Sequence, residues 1–265
     1  MTPRDNPIRM LRERVELLDG GRLPTVIPGS DPRLVHFVSV MQSYTNTTMG
    51  PIGWAVISPR EADAIVGASR LITDLATDEE PLVDGPLCRS RQEWIATGHQ
   101  MMTNADIPSP TRAKFTGADQ AWGTERQPKP LGLGLYTSTS GRHGQSMWRT
   151  YLDLFPQSSL HPRPWYTWRL DVPEEVSMLE ITCAGDWASF VQAYSRVAAG
   201  MLLPDWSEVS QHHDGVHVTA RGVVATQGFS FRTRRGLTAP AFWDVEQTLW
   251  LNWIFASTML LDVAR

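Results

Sequence analysis

The sequence predicts an α+β protein in which a mainly helical N-terminal part precedes a strand-rich C-terminal part. Of its 265 residues, 42% are apolar and 20% are charged, a balance typical of globular chains. Apolar residues recur at helical spacing in the N-terminal part, whereas short β-branched and aromatic runs dominate after Ile107-Pro-Ser-Pro110. Two prolines so close together interrupt regular structure. We therefore expect residues 1–110 to form a helical lid or appended domain, and residues 111–265 to form the domain with the functional site.

The N-terminal elements are indicated mainly by capping residues. Asn6, followed by a proline, is typical of a helix start, and a Gly-Gly pair marks the end of that helix. Ser58 begins a second helix, because a proline and then a glutamate three residues on complete a capping box. The predicted elements are a helix over 6–20, a strand over 34–40, a helix over 58–75 and a helix over 91–102.

The C-terminal part reads as short strands separated by turns, with two interruptions by helical periodicity. The strands are predicted at 114–118, 133–138, 166–172, 178–182, 216–220, 223–226 and 248–255. The helices are predicted at 146–155 and 186–198. The basic run over 231–236 is predicted to be a solvated hairpin, since a net charge of −4 does not favour a polyanionic partner.

Charge and cysteine content exclude several classes of protein. The acidic balance argues against a dedicated nucleic-acid binder. Cys88 and Cys183 have no metal-ligand spacing, and such sparse use suits a reducing compartment. The N-terminus has no apolar signal segment, and the apolar stretch over 249–261 is too short to span a bilayer. We therefore expect a cytoplasmic protein with no membrane partner.

The histidines do not predict a metal centre. His212, His213 and His217 resemble ligands by type, and Asp214 accompanies them. However, Gly215 would break a helix and the adjacent pair would point apart, so a surface turn is the prediction and no metal is expected.

The segment most indicative of a ligand site is Gly132-Leu-Gly-Leu-Tyr-Thr-Ser-Thr-Ser140. Two glycines spaced by one residue allow close backbone approach, and they lead a strand into a hydroxyl-rich end. Such hydroxyls suit hydrogen bonding to a ribose or a carboxamide. The alternative is a solvated strand end whose serines cap the next helix.

A second candidate feature is the acidic pair Asp244 and Glu246. On a strand, residues two apart point to the same face. One carboxylate of such a pair could stabilise a cationic transition state while the other positions substrate. A solvated strand edge is the alternative interpretation.

The order of motifs in the C-terminal part resembles that of ADP-ribosyltransferase-like folds. Phe115-Thr-Gly-Ala, a polar loop over 122–126, Gly134-Leu-Tyr-Thr-Ser138, an amphipathic helix and the strand over 165–172 follow one another. The Leu-Tyr-Thr-Ser run before a helix is similar to that of the NAD-degrading RES-type toxins. The strand–loop–strand–helix–strand order resembles rifampin ADP-ribosyltransferases. The resemblance, over about residues 111–255, implies a split, bent β-sheet with flanking helices and a cleft for NAD.

The resemblance also implies roles for individual residues. Glu246 would be the late acidic residue that acts on the nicotinamide ribose, with Asp244 beside it, and Tyr136 would stack on nicotinamide. An arginine or histidine on the first strand would hold the ribose or the phosphates, and here Arg112, Thr116 or Arg126 would serve. The residues that would bind NAD are Arg112, Thr116, Arg126, Tyr136, Ser138 and Ser140.

These residue types suit cleavage of the nicotinamide N-glycosidic bond. That reaction develops an oxocarbenium ion, so it requires a carboxylate near the ribose, a flat slot for the ring and donors for the pyrophosphate. The expected enzyme would transfer ADP-ribose to a protein, a nucleic acid, a small molecule or water, and its oligomeric state stays open. The alternatives are a non-catalytic nucleotide- or protein-binding module, and an unrelated glycosidase-like enzyme that uses the Asp244/Glu246 pair.

Overall fold

The computed structural model describes residues 6–21, 27–45, 54–97, 107–117, 129–130, 132–198, 200–240 and 243–265. Helices and sheets are interleaved along the chain, which confirms the α+β class. The α-helices are α1 (Pro7–Gly20), α2 (Pro32–Thr45), α3 (Pro59–Val66), α4 (Arg70–Asp78), α5 (Glu80–Val83), α6 (Met147–Leu154), α7 (Ala184–Ala193), α8 (Trp206–His212) and α9 (Ala220–Thr226). None of the helices in these ranges is long and apolar enough to cross a membrane.

The strands form a central seven-stranded sheet and two small sheets. They are β1 (Ala55–Ile57), β2 (Gln92–Thr97), β3 (Leu135–Thr139), β4 (Trp165–Asp171), β5 (Met178–Ile181), β6 (Ser195–Ala198), β7 (Met201–Pro204), β8 (Gly215–Val218), β9 (Phe229–Arg232), β10 (Leu237–Thr238), β11 (Gln247–Trp250) and β12 (Ser257–Ala264). The central order is β12-β4-β2-β3-β11-β8-β5, in which β5 and β8 are parallel and the other pairs antiparallel.

The helix starts predicted from capping residues are confirmed. The Asn6 side chain accepts from the amides of Ile8 and Arg9, and Ser58 accepts from the amide of Glu61. The second predicted helix is divided, because the chain turns after Val66 and Ser69 caps a new helix, α4. α6 lies within the helix predicted over 146–155, and Ser146 caps it by accepting from the amide of Arg149.

The strand predicted over 34–40 is wrong, since these residues belong to α2. Leu34, Phe37, Val38 and Met41 are all buried in the core, and their spacing is that of one helix face. Asp31 accepts the amide of Arg33 and helps to begin the helix. Here the helical periodicity of the apolar residues outweighs their β-branched content.

The helix predicted over 91–102 is also wrong, because residues 92–97 form β2 (residues 98–102 lie outside the described part). β2 is hydrogen-bonded to β3 on one side and to β4 on the other. Its strand conformation is therefore fixed by two neighbours that are distant in the sequence.

Several C-terminal predictions also need correction. Residues 220–226 are a helix, α9, because Thr219 caps it through the amide of Gly222, and the strand predicted over 223–226 is wrong. Residues 195–198 leave the predicted helix to form β6, and β11 ends at Trp250. Arg112–Lys114 is a 3₁₀ turn and Phe115–Gly117 is not a strand, while Ala118 lies outside the described residues. The basic run lies at the predicted hairpin, between β9 and β10.

The core is not divided at the boundary predicted near residue 110. β2 lies inside the central sheet, and β1 pairs in parallel with β9. Leu11 and Phe37 from the N-terminal helices share one hydrophobic cluster with Trp187, Val216 and Leu249 from the C-terminal part. The N-terminal residues therefore complete the sheet and its core.

Gly134 has to be glycine for two reasons. Its φ is +64°, and a Cβ at this position would lie 2.1 Å from the carbonyl oxygen of Trp250. Gly132 has a similar φ of +81° but no described atom within 4 Å of such a Cβ. Of these two glycines, Gly134 is the one at which a side chain would meet both backbone strain and a clash with the neighbouring strand.

We expect Gly134→Ala to lower the free energy of unfolding much more than Gly132→Ala. Left-handed backbone alone costs about 1–2 kcal/mol in either variant, and overpacking against β11 adds about 1–3 kcal/mol in Gly134→Ala only. Urea unfolding of both variants measures the difference. Equal losses would show that β11 does not approach Gly134 as closely as described.

Candidate functional site

In the central sheet, β3 changes its hydrogen-bonded neighbour where the hydroxyl-rich segment ends. β3 pairs with β11 through residues 135–137, but with β2 through Ser138 and Thr139. The ladder between β3 and β11 therefore ends at Thr137, and beyond it the side chain of Glu246 contacts Ser138 and Thr139. The backbone amide of Thr139 donates to the carboxylate of Glu246, at 2.9 Å to Oε2 and 3.2 Å to Oε1.

Glu246 lies at this end of β3, and its carboxylate is completely buried. The hydroxyl of Ser138 donates to Oε2 at 2.7 Å, and that of Thr139 donates to Oε1 at 2.7 Å. The predicted pairing of the hydroxyl-rich strand with the late glutamate is thus a direct contact in the structure.

A buried histidine joins Glu246 to a second carboxylate. His217 lies opposite Thr248 on β11 and opposite Glu180 on β5. Its Nε2 is 3.0 Å from Oε1 of Glu246, and its Nδ1 is 2.5 Å from Oε2 of Glu180. Burial acts to lower the pKa of His217, but the hydrogen bonds to the two carboxylates outweigh it and raise the pKa to about 9.

Glu180 occupies the partly solvated end of this arrangement. Its side chain is 27% exposed, whereas those of His217 and Glu246 are not exposed at all. The Leu87 amide donates to Oε1 of Glu180 at 3.1 Å. Burial acts to raise the pKa of Glu180, but the hydrogen bond and charge of His217 lower it overall. Glu180, His217 and Glu246 therefore form a carboxylate–imidazolium–carboxylate chain, called here the charged triad.

Neutral side chains continue the network across β3 and β2. Thr139 accepts from Nε2 of Gln92 at 2.9 Å, and Oε1 of Gln92 accepts from Thr137 at 2.6 Å. The indole of Trp250 donates to Thr137 at 2.8 Å. These bonds restrict the hydroxyl of Thr139, so the donors around Glu246 are held in place before any ligand arrives.

Sequence reasoning missed Glu180 and His217 as site residues, and the surface turn predicted for His217 is wrong. His212 ends α8, but His217 is fully buried in β8. The available signal was the pattern Gly-Val-His-Val, in which a polar residue interrupts a short apolar strand. The same signal appears as Glu180 in Met-Leu-Glu-Ile. Only the register of the sheet reveals that Glu180 and His217 are paired.

Tyr136 and Asp244 have other surroundings. The Tyr136 hydroxyl donates to the carbonyl of Pro130 at 2.6 Å, and the Lys129 ammonium lies 4.9 Å from the ring centroid. Burial lowers the pKa of Lys129 to about 8, which the Asp244 carboxylate partly opposes. Residues 243–246 before β11 are not a strand, so the two-residue rule that predicted a shared face for Asp244 and Glu246 does not apply.

The structure describes two of the three proposed first-strand anchors, Arg112 and Thr116. The Thr116 carbonyl accepts from the Gly134 amide at 2.8 Å, which places Thr116 at the opposite end of β3 from Ser138. Arg112 is exposed in the 3₁₀ turn, and Arg126 lies outside the described residues. Ser140 is at the expected end, where its amide donates to the carbonyl of Arg91 at 2.7 Å.

Two arginines before β2 were missed because that segment was predicted to be helical. Arg89 and Arg91 belong to a 3₁₀ turn that leads into β2. The charge of Arg89 acts on Glu180, and its Nε is buried with no hydrogen-bond partner within the described ranges. Arg91 donates to the Cys88 sulfur at 3.1 Å. Arg89 thus brings a cation close to the partly solvated end of the charged triad.

Two other features lie apart from Glu246. An open cavity of about 140 Å³ borders the start of β3, with Trp94, Phe115 and Trp253 in its lining. Asp31, Glu79 and His143 each bring a potential metal-ligand atom within 4.8 Å of the others. However, Arg33 already neutralises Asp31 at 2.6 Å, so this group is an ion-paired cluster that does not require a metal.

No protein-family model, curated protein or solved structure matches this chain, so the function has to be inferred from the geometry of the site itself.

Proposed function

We propose that this protein binds NAD at the end of the sheet beside Glu246 and breaks the nicotinamide–ribose bond. The single observation that carries the proposal is the 2.7 Å hydrogen bond between the Ser138 hydroxyl and the Glu246 carboxylate. It joins a Ser-Thr-Ser strand end to a late glutamate, the combination expected of an ADP-ribosyltransferase-like site. The change of pairing partner along β3, from β11 to β2 at the same place, supports a split sheet.

The chemistry follows from the charge of Glu246. As the bond between C1′ and the nicotinamide nitrogen breaks, its electron pair leaves with nicotinamide and positive charge develops on the ribose. A fixed carboxylate hydrogen-bonded to a ribose hydroxyl stabilises that charge more than it stabilises the substrate. An acceptor group or water then attacks C1′ and loses a proton, which completes ADP-ribosyl transfer or hydrolysis.

The same end of the sheet offers groups for the pyrophosphate. Arg89 and Arg91 supply guanidinium groups, which bind phosphate oxygens through charged hydrogen bonds. The unused buried Nε of Arg89 is a donor suited to such an anion. In this proposal the turn before β2 provides the basic anchor that the resemblance requires, and Arg112 is not needed.

The proposal requires a local opening, because Glu246 has no exposed surface. NAD has to replace at least one present partner of the carboxylate. The Ser138 hydroxyl is the partner most easily replaced by a ribose hydroxyl, since the two groups make the same kind of hydrogen bond. The reaction is placed in the cytoplasm, in keeping with the free thiols Cys88 and Cys183.

The direct test is incubation of the purified protein with NAD, followed by chromatography of nicotinamide, free ADP-ribose and protein-bound ADP-ribose. We expect nicotinamide release, with the second product showing whether water or an acceptor is used. Thermal unfolding with NAD gives a parallel measure, because a ligand at a hundred times its Kd stabilises the fold by about 2.7 kcal/mol. Stabilisation without release would favour the non-catalytic module. If NAD causes no nicotinamide release and no stabilisation, the proposal is contradicted.

A further inference from the structure

We infer that His217 and Glu180 are positioning residues that hold Glu246 as an oriented carboxylate and leave its Oε2 atom for the ribose. The inference rests on the proposed function in assigning the carboxylate to NAD chemistry. The arrangement of charges itself rests only on the contacts of His217. Neither residue touches the reacting atoms in this scheme, because both act through Glu246.

The contacts of His217 require both of its ring nitrogens to donate. Each nitrogen faces a carboxylate oxygen, at 2.5 Å to Glu180 and 3.0 Å to Glu246. A neutral imidazole donates through one nitrogen only, so its other lone pair would face a carboxylate. In a completely buried site such a repulsion is costly. The imidazolium is therefore the form that fits this geometry.

The charges around His217 come from three elements. Glu180 faces it from β5 and Glu246 faces it from the turn before β11, while Arg89 faces Glu180 from the segment before β2. The triad carries one net negative charge when all three groups are ionised. The ion pair with His217 holds in place the carboxylate that the reaction requires.

The two oxygens of Glu246 are not equivalent. Oε1 accepts from His217 and from the Thr139 hydroxyl, while Oε2 accepts from the Ser138 hydroxyl. The Thr139 amide donates to both oxygens, at 2.9 Å to Oε2 and 3.2 Å to Oε1. The charged donor is thus on Oε1, and only neutral donors are on Oε2. A ribose hydroxyl can take the place of Ser138 at Oε2 without breaking the ion pair. His217 therefore determines which oxygen becomes available.

Glu180→Gln tests this inference with little risk to the fold, because Glu180 is partly exposed. In protein labelled with ¹⁵N-histidine, we expect one imidazolium signal to persist above pH 8. The signal is assigned by its loss in His217→Asn. Its titration midpoint should fall by at least about one pH unit in Glu180→Gln. Glu208→Gln, an exposed exchange of the same kind on α8, should leave it unchanged. A midpoint near 6.5 in the unmodified protein, or no change in Glu180→Gln, would overturn the inference.

The kinetic measurement adds a readout that a merely structural residue would not change. Glu180→Gln should lower kcat for nicotinamide release at least about tenfold, which corresponds to about 1.4 kcal/mol, with KM for NAD within about twofold. As the pH is raised, kcat of Glu180→Gln should also begin to decline at a lower pH than kcat of the unmodified protein, because His217 loses its proton earlier. Unchanged kcat at every pH would overturn the positioning role. If the unmodified protein releases no nicotinamide, the proposed function fails, and the NMR midpoints still decide whether the triad exists.

Discussion

Glu246→Gln is expected to reduce nicotinamide release by about 10²- to 10³-fold, the usual effect of removing one preorganised electrostatic group. The amide has nearly the same shape as the carboxylate but carries no charge to oppose that of the ribose. The loss should appear in kcat more than in KM, because the charge develops only in the transition state. Steady-state assays of nicotinamide release measure both constants.

The same substitution should also lower stability, so the assay needs a matched control. The nitrogen of the new amide would face a hydrogen-bond donor, and His217 would keep only Glu180 as a charged partner. Breaking a buried ion pair costs about 3–5 kcal/mol, so activity has to be normalised to the folded fraction from circular dichroism. Glu79→Gln is the control, because Glu79 is a buried carboxylate that accepts from the Arg142 amide and is not a member of the triad. Full activity in folded Glu246→Gln would contradict the proposed function.

Stability is expected to fall as the pH rises from about 6.5 to 9, because His217 has a higher pKa in the folded state. The pKa is raised from 6.5 to about 9 by the two carboxylates, so the folded protein binds more protons over this range. The stabilisation is complete below pH 6.5 and is lost as the pH passes 9. A shift of this size corresponds to about 3 kcal/mol.

Lys129 changes stability in the opposite direction and has to be separated. Burial lowers its pKa from 10.5 to about 8, so its contribution rises with pH from about 8 to 10.5. The effect of His217 is therefore read as the difference between the unmodified protein and His217→Asn in urea unfolding at several pH values. We expect that difference to shrink steadily between pH 6.5 and 9. A constant difference would show that His217 is not held as an imidazolium.

The candidate site was predictable from the sequence in part. Ser138, Ser140 and Glu246 could be singled out because hydroxyls at a strand end and a late carboxylate have recognisable residue types. Asp244 was paired with Glu246 by assuming that both lie on a strand, and the structure places them in different surroundings. Arg89 and Arg91 were overlooked because the segment after them lacks the alternation of a typical strand. Their position beside Ser140 depends on the pairing of β2 with β3.

The sequence alone determined the features that depend on neighbouring residues. Asn6 and Ser58 cap helices through amides two or three residues away, and Gly134 permits a backbone conformation that other residues disfavour. Such interactions are local, so short patterns predict them. The α+β class follows from the same patterns taken over the whole chain.

Only the tertiary structure decided which of the remaining elements are strands and which charges meet. β2 is a strand because β3 and β4 complete its hydrogen bonds, and α2 is a helix because one apolar face packs into the core. Glu180, His217 and Glu246 meet through the register of β5, β8 and β11. Hydrogen bonds between distant strands and the burial of charges depend on the whole fold, and no local pattern of residues contains them.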